Sequence, residues 1–566
     1  MEEGSASTSE AEADIKTPVR ARGRGRARGR GRCAVPSSSR GKGRGKLTDD
    51  RCQMPDAHVD AGDVSVSEDT SDTEETKRIK LEKQKWNKRK KTKHDELETS
   101  TQECEGRAGV ASSLTSFVTH ALDCILTSEE VTLLQKAHSG HTVNIGELCA
   151  GMATGTIASK VIESKLQEVH GLSFKCQTVF YSEMVPWKRA LCQKVHEHCG
   201  GGSNGVPAIF KERTADLIHV KDIALDLLIG AIECDDISTL TTTPKSVLDR
   251  SGRSGSSFME MIDFIESRQW SERPRCVLLE CVASLDKMRK SINEKGTQAV
   301  TAKMADLGYI GEWQTCNTCK FGIPQSRTRS YGIYTLLTRG FAAEGKQHHT
   351  AQVKRMWALV RRFQLPNPDL LQHFFEKMKI EQDDVGAKKF KAVKDRGAAK
   401  KPAGKEPKWL GLHERFKKKH GLQDSDLNHP PQKMLKNHQQ TLRLTDREVE
   451  AVVLRMGLQL RKKALDHKCM VGNIGDSVNY IRLSSSLHPC VLPSKKYIYF
   501  IGERCLVNQN CGNLYMMLQG LGPEEMAMSG LDSVEPRQNQ ELAGNAFTSN
   551  VIAAMILAVL RDWNVA

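Results

Sequence analysis

Apolar positions recur with two different periods along the chain, beginning near residue 111. Between Leu114 and Lys136 they return every three or four residues, interrupted by a capping-type Thr127-Ser128-Glu129-Glu130, which predicts helices. Shorter segments of strand length, apolar or largely apolar in most cases, fall at residues 143–148, 178–182, 225–232, 276–279, 311–316 and 330–334 and predict strands. Helical patterns over 258–270 and 297–307 lie between them, so this order predicts an α/β fold with a doubly wound, mostly parallel sheet.

Residues 1–110 contain few large apolar side chains, and we therefore expect a disordered basic tail. Its Gly-Arg repeats at 20–32 and 41–46 suit contacts with phosphates or a narrow minor groove, with a solvated basic spacer as the alternative. The basic clusters at 77–78 and 88–91 follow an acidic patch at 67–75 and resemble a bipartite nuclear import signal. We therefore expect a location in the nucleus.

Bulk composition narrows the class of partner. A formal net charge of +15 over 566 residues favours a polyanion, most simply nucleic acid. The 17 cysteines show neither a repeated zinc pattern nor a secreted disulfide framework, so reduced thiols and no metal site are expected. The amino terminus is acidic and polar, and no run of 18 apolar residues occurs, which argues against secretion and membrane spanning.

Chemically active side chains follow several of the predicted strands. Cys234 comes directly after the run at 225–232, where open α/β sheets hold their ligands, although an inert buried thiol would fit the same position. Small residues at 149–155 connect a strand to a helix, as in turns that hold a nucleotide-like group. Glu183 and Glu280 end two further strands, and Glu183 is placed to accept hydrogen bonds from ribose hydroxyls.

Seven short motifs in this order resemble those of the C5-cytosine-specific DNA methyltransferase family. They stand at residues 147–155, 182–183, 230–238, 279–282, 321–329, 518–520 and 544–547. The matches Gln325-Ser326-Arg327-Thr328-Arg329 and Gly544-Asn545 are the most specific. The resemblance covers roughly residues 140–340 and 485–562, and it implies a Rossmann-like S-adenosylmethionine-dependent methyltransferase fold with an inserted target-recognition region.

The resemblance also implies a role for each matched residue. Cys234 would attack C6 of a flipped cytosine, and Glu280 would hold and protonate N3, so that C5 can take the methyl group of S-adenosylmethionine. Arg327 and Arg329 would lie beside the base and the sulfur adduct. The implied cofactor-binding residues are Leu148, Cys149, Ala150, Gly151, Met152, Ala153, Glu183, Asp216, Leu217 and Asn545. Asp222-Ile223 competes with Asp216-Leu217 for the adenine.

Three positions depart from the family pattern. Glu233 replaces the proline before the cysteine, Cys281 replaces the asparagine after the glutamate, and Cys149 replaces an aromatic residue of the cofactor turn. Cys234 is thereby flanked by carboxylates, which would raise the pKa of its thiol and oppose thiolate formation. Two alternatives to a DNA methyltransferase therefore stay open, namely a tRNA-directed relative and a catalytically silent homologue that binds nucleic acid.

The predicted domain division follows from the extent of the tail and of the family resemblance. Residues 1–110 form the tail, 111–338 the catalytic and cofactor-binding domain, 339–488 the target-recognition region and 489–566 the rest of the catalytic domain. Within the recognition region, helical patterns at 353–365 and 446–465 flank a Lys-rich run from 386 to 419 with little apolar periodicity. Its lysines suit sequence-independent phosphate contacts to DNA, with RNA possible, or a solvated charged loop.

Overall fold

The computed structural model describes residues 113–563 apart from 139, 200–207, 219–223, 239, 240, 242, 290–292, 338–343, 366–370, 372, 373, 375–406, 441, 443, 463–468, 475, 494, 503 and 508–511. The predicted tail and its import-like clusters lie outside these residues.

The main sheet has seven strands. The strands are β1 (Thr142–Leu148), β2 (Lys175–Ser182), β3 (Ile209–Lys211), β4 (Leu227–Ala231), β5 (Cys276–Val282), β8 (Tyr309–Asn317) and β10 (Thr328–Leu336). Two short pairs of residues, β6 (Met288–Arg289) and β7 (Glu294–Lys295), form a separate hairpin, and β9 (Gln325–Ser326) precedes β10. The order across the main sheet is β3-β2-β1-β4-β5-β10-β8. The first five strands are parallel to one another, and only β10 is antiparallel to both its neighbours. The predicted Rossmann-like α/β class is therefore confirmed.

Helices cover both faces of this sheet, as alternate side chains of its strands require. In chain order they are α1 (Leu114–His120), α2 (Ser128–His138), α3 (Thr154–His170), α4 (Pro186–His198), α5 (Arg253–Glu266), α6 (Gly296–Asp306), α7 (Glu344–Arg362), α8 (Lys408–His420), α9 (Pro430–Asn437), α10 (Asp446–Arg461), α11 (Gly512–Met517), α12 (Pro523–Met528), α13 (Pro536–Asn545) and α14 (Ser549–Arg561). A π-helical turn, Ala121–Ile125, extends α1.

The two faces of the sheet form separate cores. Leu227 and Ile229 of β4 pack into a core that includes α3, α7 and α14, whereas Leu228 packs into a second core with α5 and α6. Helix α14 is apolar around its whole circumference and is buried from Ser549 to Leu560, as expected for a central helix. Among the described residues no single helix is long and apolar enough to cross a membrane, although the bent pair Arg537–Asn545 and Ser549–Arg561 meets the length and composition criteria together.

A second sheet lies in the part of the chain between β10 and α11. Its strands are β11 (Cys469–Asn473), β12 (Leu483–Ser484), β14 (Tyr497–Ile501) and β15 (Arg504–Val507), in the order β12-β11-β14-β15, and β13 (His488–Pro489) pairs separately with β9. One face of this sheet packs with α8, α9 and α10 through Met470, Ile498 and Phe500. The other face joins the main core through Val471 and Tyr499.

This arrangement does not coincide with the predicted domain division. Helix α7 packs into the main core through Trp357 and Val360, and Leu371 and Phe374 belong to the same core, so this core extends beyond residue 338. The second sheet runs across residue 488, so the predicted boundary there cuts a structural unit. The Lys-rich run at 386–419 is also helical over its last third, because residues from Lys408 onward form α8, in which Phe416 is buried. The division into functional domains stays a prediction.

Candidate functional site

The predicted catalytic residues meet at one edge of the main sheet. Parallel strands β4 and β5 end together, with Ala231 opposite Glu280. Because β10 is antiparallel, its first residues reach the same edge, and Arg329 pairs with Val282. Cys234 follows β4 by three residues, in the loop above this edge. The topology therefore explains why side chains from three distant sequence motifs converge.

The Cys234 loop is a compact turn fastened to the beginning of α5. The carbonyl of Cys234 accepts hydrogen bonds from the backbone N–H groups of Ile237 (3.1 Å) and Ser238 (2.8 Å). Asp236 and Ser254 bond reciprocally: the Asp236 N–H donates to Ser254 Oγ at 3.1 Å, and the Ser254 N–H donates to Asp236 Oδ2 at 2.9 Å. These hydrogen bonds hold the backbone of the loop in one conformation. Cys234 is exposed on this loop.

Glu280 and Arg329 form an ion pair beneath this loop. Arg329 Nε lies 3.1 Å from Glu280 Oε1, and the two side chains are 13% and 9% exposed. Burial raises the pKa of Glu280, and the positive charges of Arg329 and Arg327 oppose that shift. Glu280 therefore holds a proton to a higher pH than a solvated carboxyl group, as a proton donor to a base would need.

The same neighbours act on the thiol of Cys234. Partial burial raises its pKa, the charge of Arg329 lowers it, and the carboxylates of Glu280 and Asp235 raise it again. Asp235 is thus a flanking carboxylate that acts in the expected direction on Cys234. Burial raises the pKa of Cys149, and the charge of Glu233 adds to that shift. The effect of Glu233 on Cys234 stays a prediction.

Arg327 is 2% exposed. Its guanidinium group donates hydrogen bonds to main-chain carbonyls of segments that are far apart in the sequence. Its Nη atoms donate to the carbonyls of Gly544 (3.2 Å) and Ala546 (2.7 Å), and also to that of Val491 (3.5 Å). These contacts hold both neighbours of Asn545, which is itself exposed at the end of α13. Arg327 thus acts on the site through the positions of other groups, and its charge reaches Glu280.

The small-residue turn before α3 has an unusual backbone. Cys149, Gly151 and Ala153 all have φ between 52° and 57°, a left-handed conformation that costs non-glycine residues about 1 kcal/mol or more each. A Cβ placed on Gly151 would meet only the Cys149 carbonyl oxygen, at 3.9 Å. The space above Gly151 is therefore open, and such strain is found where a backbone must approach a ligand.

Among the predicted cofactor residues outside the turn, Glu183, Asp216 and Leu217 differ in burial and in hydrogen bonding. Glu183 is 8% exposed, and its carboxylate accepts hydrogen bonds from the N–H groups of Gly151 and Val185, both at 2.9 Å. A carboxylate offers about four acceptor positions, so capacity for ribose hydroxyls remains. Leu217 is fully buried, whereas Asp216 is exposed and accepts from the Arg213 N–H at 3.0 Å. Residues 222 and 223 lie outside the described residues, and the choice between the two adenine candidates stays open.

The other apolar residues of the turn are buried. Leu148, Ala150, Met152 and Ala153 are each 3% exposed or less, and Ala150 donates its N–H to the Ser182 carbonyl at 3.1 Å. The turn is thereby tied to the end of β2, next to Glu183. Cys281, the second departure from the family pattern, is 1% exposed and its thiol donates to the Ile232 carbonyl at 3.6 Å. It therefore takes part in fastening the end of β4 to β5.

Two residues near the site were not found by the sequence patterns. Cys490 Sγ lies 3.7 Å from an Nη atom of Arg327 and 3.9 Å from one of Arg329. It reaches this place because β13 pairs in parallel with β9, a contact between segments about 160 residues apart that leaves no local signal. Ser254 had a weak signal, since serine is common at the beginning of a helix.

Comparisons with known proteins agree with this geometry. The sheet order defines a Rossmann-like α/β domain with polar side chains at one edge. Residues 202–449 match the model of the family described as C-5 cytosine-specific DNA methylase. The chain is 22% identical over 464 residues to DNA (cytosine-5-)-methyltransferase DMT5 of Cryptococcus neoformans var. grubii; the match covers 76% of this chain but only 18% of that relative. The predicted resemblance to C-5 cytosine-specific DNA methylases is therefore confirmed over residues 202–449, which are less than half of the chain.

Solved structures give weaker likenesses. The crystal structure of S. pombe Dnmt2 methyltransferase has a TM-score of 0.35 and 10% sequence identity, covering 75% of this chain and 99% of that chain. A structure of a putative DNA modification methyltransferase encoded within a prophage of E. coli has a TM-score of 0.23 and 13% identity, covering 36% of this chain and 49% of that chain.

Proposed function

We propose that this protein methylates C5 of cytosine in DNA with S-adenosylmethionine, through a covalent bond between Cys234 and C6 of a flipped base. The observation that supports this most directly is the convergence of Cys234, Glu280 and Arg329 at one sheet edge, with the Glu280–Arg329 ion pair at 3.1 Å. The DNA substrate is proposed from the matched family and from the printed name of the DMT5 relative.

The side chains supply the chemistry that this reaction needs. Addition of the Cys234 thiolate to C6 forms an S–C6 bond and pushes electrons toward N3, where Glu280 donates its proton. C5 becomes nucleophilic and takes the methyl group. C5 then gives its proton to water, the S–C6 bond breaks with its electron pair returning to sulfur, and N3 gives its proton back to Glu280, so that the product leaves and the thiolate and the acid are restored. Arg329 stabilises the thiolate and holds Glu280, while Arg327 positions the carbonyls around Asn545.

S-adenosylmethionine, when bound, supplies the methyl group as an electrophile. The residues present fit it: open space lies over Gly151, and the Glu183 carboxylate retains acceptor capacity beside the same turn. Gly151 and its neighbours would admit the cofactor close to the backbone, and Glu183 would accept from the ribose hydroxyls. Leu217 and Asp216 are the proposed contacts to the adenine.

DNA binding and a nuclear location complete the proposal. C5 and C6 are inaccessible in a stacked duplex, so the base must leave the helix before Cys234 can reach it. The Lys-rich segment that ends in α8 and the Gly-Arg repeats of the tail would contact phosphates without reading sequence. The basic clusters at 77–78 and 88–91 would direct the protein to the nucleus.

Covalent trapping tests this function. DNA carrying 5-fluorocytosine accepts the thiol and the methyl group, but fluorine cannot leave as the C5 proton does, so the adduct persists. We expect a stable protein–DNA adduct that requires S-adenosylmethionine and disappears in Cys234→Ser, because a hydroxyl is a far poorer nucleophile at neutral pH. Cys199→Ser, at a buried thiol of α4's end, is a matched control that should still trap.

The outcomes separate the proposal from its rivals. An adduct on RNA but not on DNA would select a tRNA-type substrate. No adduct on either polymer, with the cofactor still bound, would select a silent homologue, a reading that the upward pKa shift of Cys234 favours. In that case the trapping yield should stay at zero even at pH 9, where the thiolate is more populated.

A further inference from the structure

The glutamate before Cys234, where the matched family has proline, lies at the edge of the proposed cofactor site. Strand β4 runs beside β1, with Gly230 opposite Leu148. The small-residue turn before α3 begins directly after Leu148, and Glu233 follows β4 by two residues, so the topology brings the turn and the glutamate together. The backbone N–H of Glu233 donates to Ser257 Oγ at 3.2 Å, which fastens this part of the loop to α5.

Electrostatic effects between the two segments agree with this placement. Burial raises the pKa of Cys149 in the turn, and the charge of Glu233 is the next cause, ahead of that of Glu183. Burial and then Asp235 raise the pKa of Glu233 itself, and the charge of Glu183 also contributes. The carboxylates of Glu183 and Glu233 therefore lie close to each other and to the turn, where the space over Gly151 is open.

Glu233 has no counter-ion of its own. The other three acids near it are held by donors, namely Asp235 by Arg253 at 2.8 Å, Glu260 by Arg213, and Glu183 by two backbone N–H groups. Within the described part of the chain no cation forms an ion pair with Glu233, and Arg253, which is bound to Asp235, is the one cation there whose charge lowers its pKa. A half-buried carboxylate in such surroundings favours a bound cation.

We propose that Glu233 makes the cofactor site selective for a positively charged sulfur, so that it distinguishes S-adenosylmethionine from the neutral product S-adenosylhomocysteine. This inference rests on the proposed function. C5 of the base adjoins C6, to which Cys234 binds, so the sulfonium that delivers the methyl group must come close to the loop that carries Cys234 and Glu233.

Methyl transfer removes the charge that Glu233 attracts. The electron pair of C5 forms the new bond to the methyl carbon, the S–CH₃ bond breaks, and its electron pair stays on sulfur. The sulfur of the product is neutral, whereas that of the next cofactor molecule is positive. Glu233 therefore favours exchange of the product for fresh cofactor, a role that the proline of the matched family cannot have.

Calorimetric titration of the full-length protein without nucleic acid tests this selectivity. Glu233→Gln keeps the size of the side chain and removes its charge. We expect this variant to bind S-adenosylmethionine about tenfold more weakly and to keep its affinity for S-adenosylhomocysteine within about twofold. The retained binding of the product shows that the site is folded. Glu266→Gln, at an exposed carboxylate of the far end of α5, should leave both affinities unchanged.

Two further arms separate the charge from other effects. An analogue in which a carbon bearing an ammonium group replaces the methylated sulfur should lose affinity for Glu233→Gln by a factor similar to that of S-adenosylmethionine. Glu233→Pro, which restores the residue of the matched family, should lose the same preference for the charged ligands.

An equal loss for the charged and the neutral ligand in Glu233→Gln overturns the proposal, because the carboxylate would then contact a group that both share or act on the fold. No loss for either ligand overturns it as well. These results do not depend on methyl transfer: selectivity through Glu233 without covalent trapping on DNA supports this proposal and contradicts the proposed function. Binding of neither ligand to the wild-type protein contradicts both, since both need the cofactor site.

Discussion

The Glu280–Arg329 ion pair allows a quantitative test of how the site is held together. Removing one partner of a buried pair leaves an uncompensated charge and typically costs about 3–5 kcal/mol. Since these side chains keep exposures of 13% and 9%, we expect the lower end, about 3 kcal/mol, for Arg329→Met. Glu280→Gln should cost less, because Arg329 keeps its hydrogen bond to the Thr328 carbonyl at 3.0 Å.

The double variant separates the pair from other effects of each substitution. With both charges removed, no buried charge is left alone, so the free energy of unfolding should fall by less than the sum of the two single losses. We expect a coupling energy of about 2 kcal/mol, measured by urea denaturation at pH 7.5. A coupling within about 0.5 kcal/mol of zero would refute the view that these charges depend on each other.

The dependence of the free energy of unfolding on pH tests the same ion pair, and its sign can be predicted. The folded-state pKa of Glu280 is raised, so the folded protein keeps a proton that the unfolded chain has released, and stability falls as pH rises above the unfolded value. Arg329→Met removes the charge that opposes this shift, and the pKa of Glu280 should rise further. The loss caused by Arg329→Met should therefore be smaller at pH 4.5 than at pH 8, by about 1.4 kcal/mol for each unit of additional shift. A loss that is equal at both pH values would contradict the argument.

Three further predictions concern other parts of the molecule. Burial lowers the pKa of His488 from 6.5 to about 4, so the unfolded chain takes up a proton first and stability is lost as pH falls from about 6.5 to about 4. His488→Gln should remove up to about 3 kcal/mol of that acid sensitivity in denaturation curves, whereas the exposed His198→Gln should not. Gly151→Trp should abolish S-adenosylmethionine binding by calorimetry, because the indole would occupy the open space over the turn; unchanged affinity would place the pocket elsewhere. Deletion of residues 1–110 should flatten the salt dependence of DNA binding through lost counterion release, and an unchanged slope would leave the tail a spacer or an address signal.

The strands and the sheet edge could be predicted because their signals are local. An uninterrupted apolar run marks a strand buried on both faces, and Cys234 and Glu183 follow such runs directly. The antiparallel β10 then brings Arg329 to the edge without any further information, since its register with β5 places Arg329 opposite Val282.

The limits of the inserted region could not be predicted, because they depend on packing between distant segments. Helix α7 shows a helical period whether it belongs to the insert or to the main core; only its burial against α14 assigns it. The surroundings of Cys234 were predictable only in part for a related reason. Sequence adjacency identifies Asp235 as a carboxylate that raises the pKa of the thiol, whereas Glu280 and Arg329 act on it through the sheet topology.

The contacts of Arg327 explain how a long insert can interrupt the site without disturbing it. Between α7 and β13 the chain forms the helices and strands of the second sheet, which touches the main core through Val471. Strand β13 then pairs with β9, which ends immediately before Arg327. From there Arg327 donates to the carbonyl of Val491 on the returning strand and to those of Gly544 and Ala546 before α14. One buried guanidinium therefore connects the strand before the insert, the segment after it and the turn that carries Asn545. Since the entropy of closing a loop grows only slowly with its length, such a closure costs little more for a long insert than for a short one.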